Sequence, residues 1–329
     1  MVKNQVVKRL KSRLGLGRGF RVMDLALGYD CNLRCDHCSA MVLKRDAPVL
    51  DLDDYQSIVT QAKALDNLSW NITGGEPLLS DMLDDVIPIL EPKHHYISIQ
   101  TNGTLLSYSR ARELARLGVN CITTSLDSAD RDKHNQFRGS SASFDAVFSA
   151  VDNARRAGMK VLVGGTVSHE TIRSRDLEDL IGLVNRMGAM FLFNLAVPCG
   201  KWANKESLVL SGSDRDYLMH LMDKYPATST DHEPGRNQKG CPAAMEKIYI
   251  TPYGDVLPCP FIHISFGNVK KDKLVDIVAR MRKNPFLSGY PGICLAAEDR
   301  DFHSRVLSRN EFIQGTNLPV DHRDIWGDL

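Results

Sequence analysis

Between residues 22 and 197 six short apolar runs alternate with five amphipathic stretches, and few folds satisfy that order. The apolar runs fall at 22–27, 69–72, 96–100, 121–126, 160–167 and 189–197, with helical periodicity between them at 52–65, 82–87, 107–117, 143–157 and 177–187. Strand-helix units in series imply parallel strands joined by right-handed crossovers. The pattern predicts an α/β fold, either a partial TIM-like barrel of six β/α units or an open doubly wound sheet. Both gather ligand-binding loops at the C-terminal ends of the strands.

The chemistry-bearing residues fall at those ends. After the first strand comes Tyr29-Asp-Cys-Asn-Leu-Arg-Cys-Asp-His-Cys-Ser39, which places Cys31, Cys35 and Cys38 in one loop. Three thiolates so spaced can hold one cube of iron and sulfide while leaving a fourth iron open for chemistry. After the second strand, Gly74 and Gly75 allow a close backbone approach to a ligand, and Glu76 is held by Pro77, a loop suited to a charged amine. The next strands end in Thr101-Asn102-Gly103, Ser125-Leu126-Asp127 and Thr166-Val167-Ser168, all offering small hydrogen-bonding groups. A structural zinc site is the alternative for the three cysteines. Zinc usually takes four protein ligands; His37 is the one in reach, and the Gly-Gly-Glu-Pro series would then have no purpose.

Composition bounds the class. The 329 residues are 43% apolar and 25% charged, with no run long enough to span a bilayer and no signal-peptide pattern, so a cytoplasmic protein is expected. Eight cysteines in a reducing compartment point to metal or buried thiols rather than disulfides. Residues 1–21 hold seven of the 41 basic side chains and none of the 40 acidic ones, so the rest carries 34 basic against 40 acidic. With Val7, Leu10 and Leu14 on one helical face, segment 1–20 suits either a solvated leading helix or peripheral contact with an anionic membrane or acidic partner. Nucleic acid is not expected, since the basic stretch has one aromatic, Phe20, and the body is acidic.

On these residues the chain resembles the radical S-adenosylmethionine superfamily, whose signature is Cys-x3-Cys-x2-Cys after the first barrel strand, over residues 21–197. The resemblance implies that Cys31, Cys35 and Cys38 hold a four-iron cluster whose open iron chelates S-adenosylmethionine. Reductive cleavage of that cofactor gives a 5′-deoxyadenosyl radical that abstracts hydrogen, with the electron coming from an external donor such as flavodoxin or ferredoxin. By the same resemblance Gly74, Gly75 and Glu76 meet the methionyl amino group, and Thr101 and Asn102 lie by the adenosyl moiety. Ser125 and Asp127 line the ribose or methionine side, Arg138 pairs with the methionyl carboxylate, and His37 packs beside adenine.

Further on, Cys241 and Cys259 bracket two short strands joined by a Pro-Tyr-Gly-Asp turn, and Cys294 follows a helical stretch at 274–282. The spacing Cys241-x12-Gly254-x4-Cys259 resembles SPASM and twitch domains, which implies a small C-terminal α+β iron-sulfur domain with one auxiliary four-iron cluster on Cys241, Cys259 and Cys294. The implied division is 1–20, a barrel over 21–210 and the cluster domain over 211–329. Twitch domains commonly show four cysteines. The fourth position is therefore open among Asp299, Asp301, His303, water, a substrate atom, or Cys199 reaching across. Cys199, just past the sixth strand, is otherwise either a hydrogen-atom donor to a substrate radical or a loop residue without a task. Cys121 is expected in the core, and Lys201, Arg236, Lys247, Tyr249 and Tyr253 at the border of a substrate chamber. A small polar, carbohydrate-like substrate is expected, because the N-terminus is too short for a leader-binding domain. The alternatives are a peptide-modifying radical enzyme and a non-catalytic iron-sulfur or zinc protein.

Overall fold

A computed structural model describes residues 19–230, 240–309, 312, 314, 315 and 317–327. The basic segment expected at 1–20 lies outside the described residues up to position 18, as does Arg236. All six expected strands form: β1 Val22–Ala26, β2 Ser69–Thr73, β3 Tyr96–Gln100, β4 Cys121–Ser125, β5 Lys160–Val167 and β6 Met190–Leu195. They pair in parallel and in sequence order, as right-handed crossovers require. This is the partial barrel.

Between the strands run α1 Leu52–Ala62, α2 Leu83–Ile89, α3 Tyr108–Leu117, α4 Arg131–Arg138, α5 Ser143–Arg156 and α6 Arg175–Arg186. Asp51 and Asp54 form a capping box at the start of α1, and Ser174 caps α6. The helix expected at 52–65 ends at Ala62 and tightens into a 3₁₀ turn, Lys63–Leu65, closed by Asp66 in the left-handed region. Helix α4 was not anticipated, because its sequence Arg-Asp-Lys-His-Asn-Gln-Phe-Arg offers almost no apolar stripe. It is held instead by the Asp130 cap and by burial of His134 and Arg138.

The sheet continues beyond these six strands. After α7 Gly212–Lys224, strand β7 Thr228–Thr230 pairs with β6. At the opposite edge β8 Lys247–Ile250 lies parallel to β1, with β9 Val256–Leu257 returning antiparallel as the expected hairpin. Thus the segment around Cys241 and Cys259 is stitched to the first barrel strand by backbone hydrogen bonds. Helix α8 Leu274–Lys283 follows.

The strands carry their apolar side chains outward. Trp70, Ile72, Ile97, Ile99, Val163, Phe191 and Phe193 are fully buried, each contributing roughly 1.5–3 kcal/mol by leaving water. The alternate positions point inward and are largely polar, including Asp24, Asn71, Ser98, Thr123, Ser125 and Asn194. An interior with that lining stays open. It forms a cavity of about 540 Å³.

Candidate active site

The cysteine loop closes one end of that cavity, with Cys31, Cys35 and Cys38 all on its wall and none in a disulfide. Three neighbours fix the loop. Gly75 N donates to Gly28 O (2.9 Å) and Glu76 N to Asp30 O (2.8 Å). Asp36 N donates to Phe137 O (3.0 Å), and Lys201 Nζ to Cys35 O (2.9 Å). The first of these explains the paired glycines. A Cβ on Gly74, whose φ is +125°, would stand 2.2 Å from Gly28 O, and one on Gly75 2.2 Å from Asp30 O. Both glycines line the cavity, but the close approach that demands them is to the cysteine loop's backbone, where a ligand had been expected.

Glu76 is buried, 3% exposed, and satisfied within the protein. Its Oε1 accepts from Thr101 Oγ1 (2.6 Å) and Leu78 N (3.0 Å), its Oε2 from Asn102 N (2.7 Å). Burial pushes its carboxyl above the ordinary range, and these donors oppose that rise. Glu76 therefore ties the end of β2 to that of β3 and sets Thr101 and Asn102 in the cavity wall.

Arg138 and Asp127 form a second buried unit. Arg138 Nε donates to Asp127 Oδ2 (2.6 Å) and Nη1 to Cys35 Sγ (3.7 Å), while Thr166 N donates to Asp127 Oδ1 (3.1 Å). Burial alone raises Asp127, but Arg138, with His37 and His134, overrides it and holds the carboxyl down at about 2. Asp127 thus serves the arginine from within the wall, and Arg138 reaches the cavity beside Ser125.

His37 stacks on Phe137 at 4.7 Å between ring centroids, with Trp202 tilted against both. Burial, then Arg138, lowers its pKa to about 4, so the ring is neutral at physiological pH. Its Nδ1 is buried without a hydrogen-bond partner among the described residues, while the residue lines the cavity. Three thiols on one cavity wall, a buried guanidinium and an orphaned ring nitrogen in an aromatic stack fit an iron-sulfur cluster with an adenosyl ligand.

Deeper in the barrel a polar chain crosses four adjacent strands. Lys247 Nζ meets Asp24 Oδ2 at 3.3 Å, Asn71 Nδ2 donates to Asp24 Oδ1 (2.8 Å), and Ser98 Oγ donates to Asn71 Oδ1 (3.0 Å). Lys247 and Tyr249 were expected at the chamber. Asp24, Asn71 and Ser98 were not, although each has an apolar residue on either side within its strand, which was the available signal. Tyr253 packs on Tyr29 and donates to Arg45 O. Cys121 is buried, as expected, and faces inward at the start of β4.

In the C-terminal segment the Cys294 and Cys241 thiols influence each other, Cys241 being held low and Cys294 high. Cys294 N donates to Glu298 Oε2 (2.9 Å), whose other oxygen meets Arg215 Nε (2.7 Å).

Residues 25–184 match the model of the radical SAM superfamily, and 241–296 that of an iron-sulfur cluster-binding domain, SPASM. This chain is a radical SAM enzyme with a C-terminal SPASM-like domain. Its cofactors are S-adenosylmethionine and four-iron clusters. The radical SAM enzyme is 28% identical over 299 residues to the mycofactocin maturase MftC of Mycobacterium ulcerans, covering 82% of this chain and 78% of that one. It is 23% identical over 278 residues to the AdoMet-dependent heme synthase of Nitratidesulfovibrio vulgaris, covering 75% of each. In fold it is similar to Streptococcus suis SuiB bound to the precursor peptide SuiA, with TM-score 0.65, 18% identity, and 87% of this chain and 70% of that one covered. No helix among the described residues is long and apolar enough to cross a membrane.

Proposed function

We propose that this radical SAM enzyme modifies a peptide, abstracting hydrogen from a residue held in the barrel cavity. The observation that carries the reading is the likeness, over 82% of the chain, to a mycofactocin maturase. The fold shared with SuiB, crystallised with its precursor peptide, adds to it. The expected carbohydrate-like substrate finds no support among these relatives. The polar inner wall suits a peptide as well, since Asp24, Asn71 and Ser98 offer acceptors and donors to a backbone.

In this reading Cys31, Cys35 and Cys38 hold the first cluster, and Cys241, Cys259 and Cys294 the auxiliary one. Cluster and cofactor together supply hydrogen-atom abstraction once an electron arrives from a reduced flavodoxin or ferredoxin of the cytoplasm. The protein supplies position. Gly74 and Gly75 lock the cysteine loop against the end of β2, and Glu76 fixes Thr101 and Asn102. Ser125 and the Arg138 guanidinium, braced by Asp127, face the methionine part, a planar fork against a carboxylate. His37, Phe137 and Trp202 provide the flat apolar surface that an adenine ring packs on.

The test is anaerobic turnover with dithionite and S-adenosylmethionine, using peptides translated from short reading frames flanking the gene. A peptide that raises 5′-deoxyadenosine formation and changes mass supports the reading. If such peptides neither bind nor change, while a sugar or tetrapyrrole is converted, the proposal fails.

A further inference from the structure

The three cysteines of the C-terminal segment leave one corner of a four-iron cube without a protein ligand, and the structure discriminates among the candidates for it. Asp299 Oδ1 caps its own helix by accepting from Phe302 N (2.9 Å). Asp301 Oδ1 is paired with Arg305 Nε (2.7 Å), and His303 Nε2 is bonded to Ala296 O (2.9 Å). Glu298, adjacent to Cys294, has both oxygens engaged as described. Cys121 opens β4, at the end of the barrel opposite the loops.

Cys199 differs from all of these. It is 6% exposed, follows the C-terminal end of β6, and lines the cavity together with Cys38, Pro260 and Phe261, the last two adjoining Cys259 in sequence. Cys259 and Cys38 both lie within electrostatic reach of its thiol. Cys259 in turn is flanked by Cys241, and Cys241 by Cys294. Cys199 is thus brought, across sixty residues of sequence, to the cavity wall that the segment following Cys259 also lines.

The position is enforced by the backbone. Gly200 has φ +59°, and a Cβ there would stand 2.6 Å from both Cys38 O and Ser39 Cα. Lys201 N donates to Cys38 O (3.3 Å) and Trp202 N to Cys199 O (3.0 Å), closing a tight 3₁₀ turn directly after the cysteine. A residue with a loop's freedom needs none of this, whereas a ligand does, because its sulfur must be aimed before the metal arrives.

We propose that Cys199 is the fourth protein ligand of the auxiliary cluster, completing the set with Cys241, Cys259 and Cys294. The inference rests on the reading that those three hold the auxiliary cluster. On binding, the thiol loses its proton to solvent and an iron-sulfur bond forms, with no change of oxidation state. A thiolate on iron has no S–H hydrogen to give, so this assignment replaces the role of hydrogen-atom donor. The auxiliary cluster is then closed to direct substrate ligation and stands at the cavity wall, beside a ligand of the first cluster.

The experiment uses full-length chain with Cys31, Cys35 and Cys38 replaced by alanine, so that only the auxiliary cluster remains, purified anaerobically and followed by iron count and electron paramagnetic resonance. About four irons per chain are expected there. Adding Cys199→Ala should leave a cube held by three thiolates, which sheds one iron on brief ferricyanide oxidation while the parent keeps all four. Cys199→Ser, which preserves the fold and can ligate through oxygen, should retain four irons with a shifted resonance of the reduced cluster. If both Cys199 variants match the parent in iron and spectrum while Cys241→Ala loses iron, the assignment of Cys199 is wrong and the auxiliary site stands. If Cys241→Ala also matches the parent, the auxiliary reading falls with it. Solvent deuterium entering product only when Cys199 is present, with spectra unchanged, also overturns the proposal.

Discussion

Arg138 stands between an acid and a thiol: its Nε is 2.6 Å from Asp127 and its Nη1 3.7 Å from Cys35 Sγ. Both members of the ion pair are under a tenth exposed. Removing one partner strands the other charge in a low-dielectric wall, a loss of roughly 3–5 kcal/mol. Arg138→Gln should therefore lower the urea unfolding free energy by about that much. Adding Asp127→Asn should restore part of it, because no buried charge then remains. A double variant no better than the single one would contradict the pairing.

Glu76 tests support against contact. Glu76→Gln keeps the volume but presents an amide N–H where donors already point, costing about 1–3 kcal/mol for the groups left unsatisfied. The expected signature is weaker S-adenosylmethionine binding with unchanged cluster iron, measured by the cofactor-dependent shift of the cluster's resonance. Loss of the iron itself would show that Glu76 organises the cysteine loop rather than the cofactor side.

The paired glycines predict a different failure. A methyl group on Gly75 collides with backbone, which cannot rotate away as a side chain would. Overpacking of this kind costs about 1–3 kcal/mol. Because the displaced partner is the backbone at Asp30, Gly75→Ala should lower reconstituted iron per chain as well as Tm. Full iron at unchanged Tm would refute the close approach.

Acid should destabilise the protein in two windows. His134 accepts from Asp127 N through Nδ1 and meets Ser143 Oγ at Nε2 (3.1 Å), and burial lowers its pKa from 6.5 to about 4. Its folded form binds a proton less readily than its unfolded form. Its contribution is thus complete above pH 6.5 and is lost as pH falls from 6.5 to about 4. Asp127, lowered from 3.8 to about 2, contributes stability above pH 3.8 that disappears as pH falls towards 2. By these shifts His134 is worth about 3 kcal/mol and Asp127 about 2 kcal/mol. Urea titrations of holoenzyme across pH should show both losses, and His134→Asn, which keeps an acceptor towards Asp127 N, should remove only the first.

Much of this architecture follows from residue order alone. Six strand-period runs separated by helical stretches determined successive parallel strands, because each element must bury its own apolar face and consecutive strands then pair side by side, while the choice of partial barrel over open sheet was left to the tertiary structure. Cysteine spacing determined that Cys31, Cys35 and Cys38 share a loop, and the position of each polar cluster after a strand determined which end of the barrel it occupies. Helix α4 escaped that logic, since polar caps and a buried ion pair hold it instead of an apolar stripe. The docking of β8 on β1, the bracing of Arg138 by Asp127 and the internal use of Glu76 were decided only in three dimensions. So was the placing of Cys199 on the same cavity wall as Pro260 and Phe261, some sixty residues further along the chain. Periodicity reports which way a side chain faces within its own element. It carries no information on which distant loop packs against that face, and it is that packing which turns scattered cysteines and carboxylates into a site.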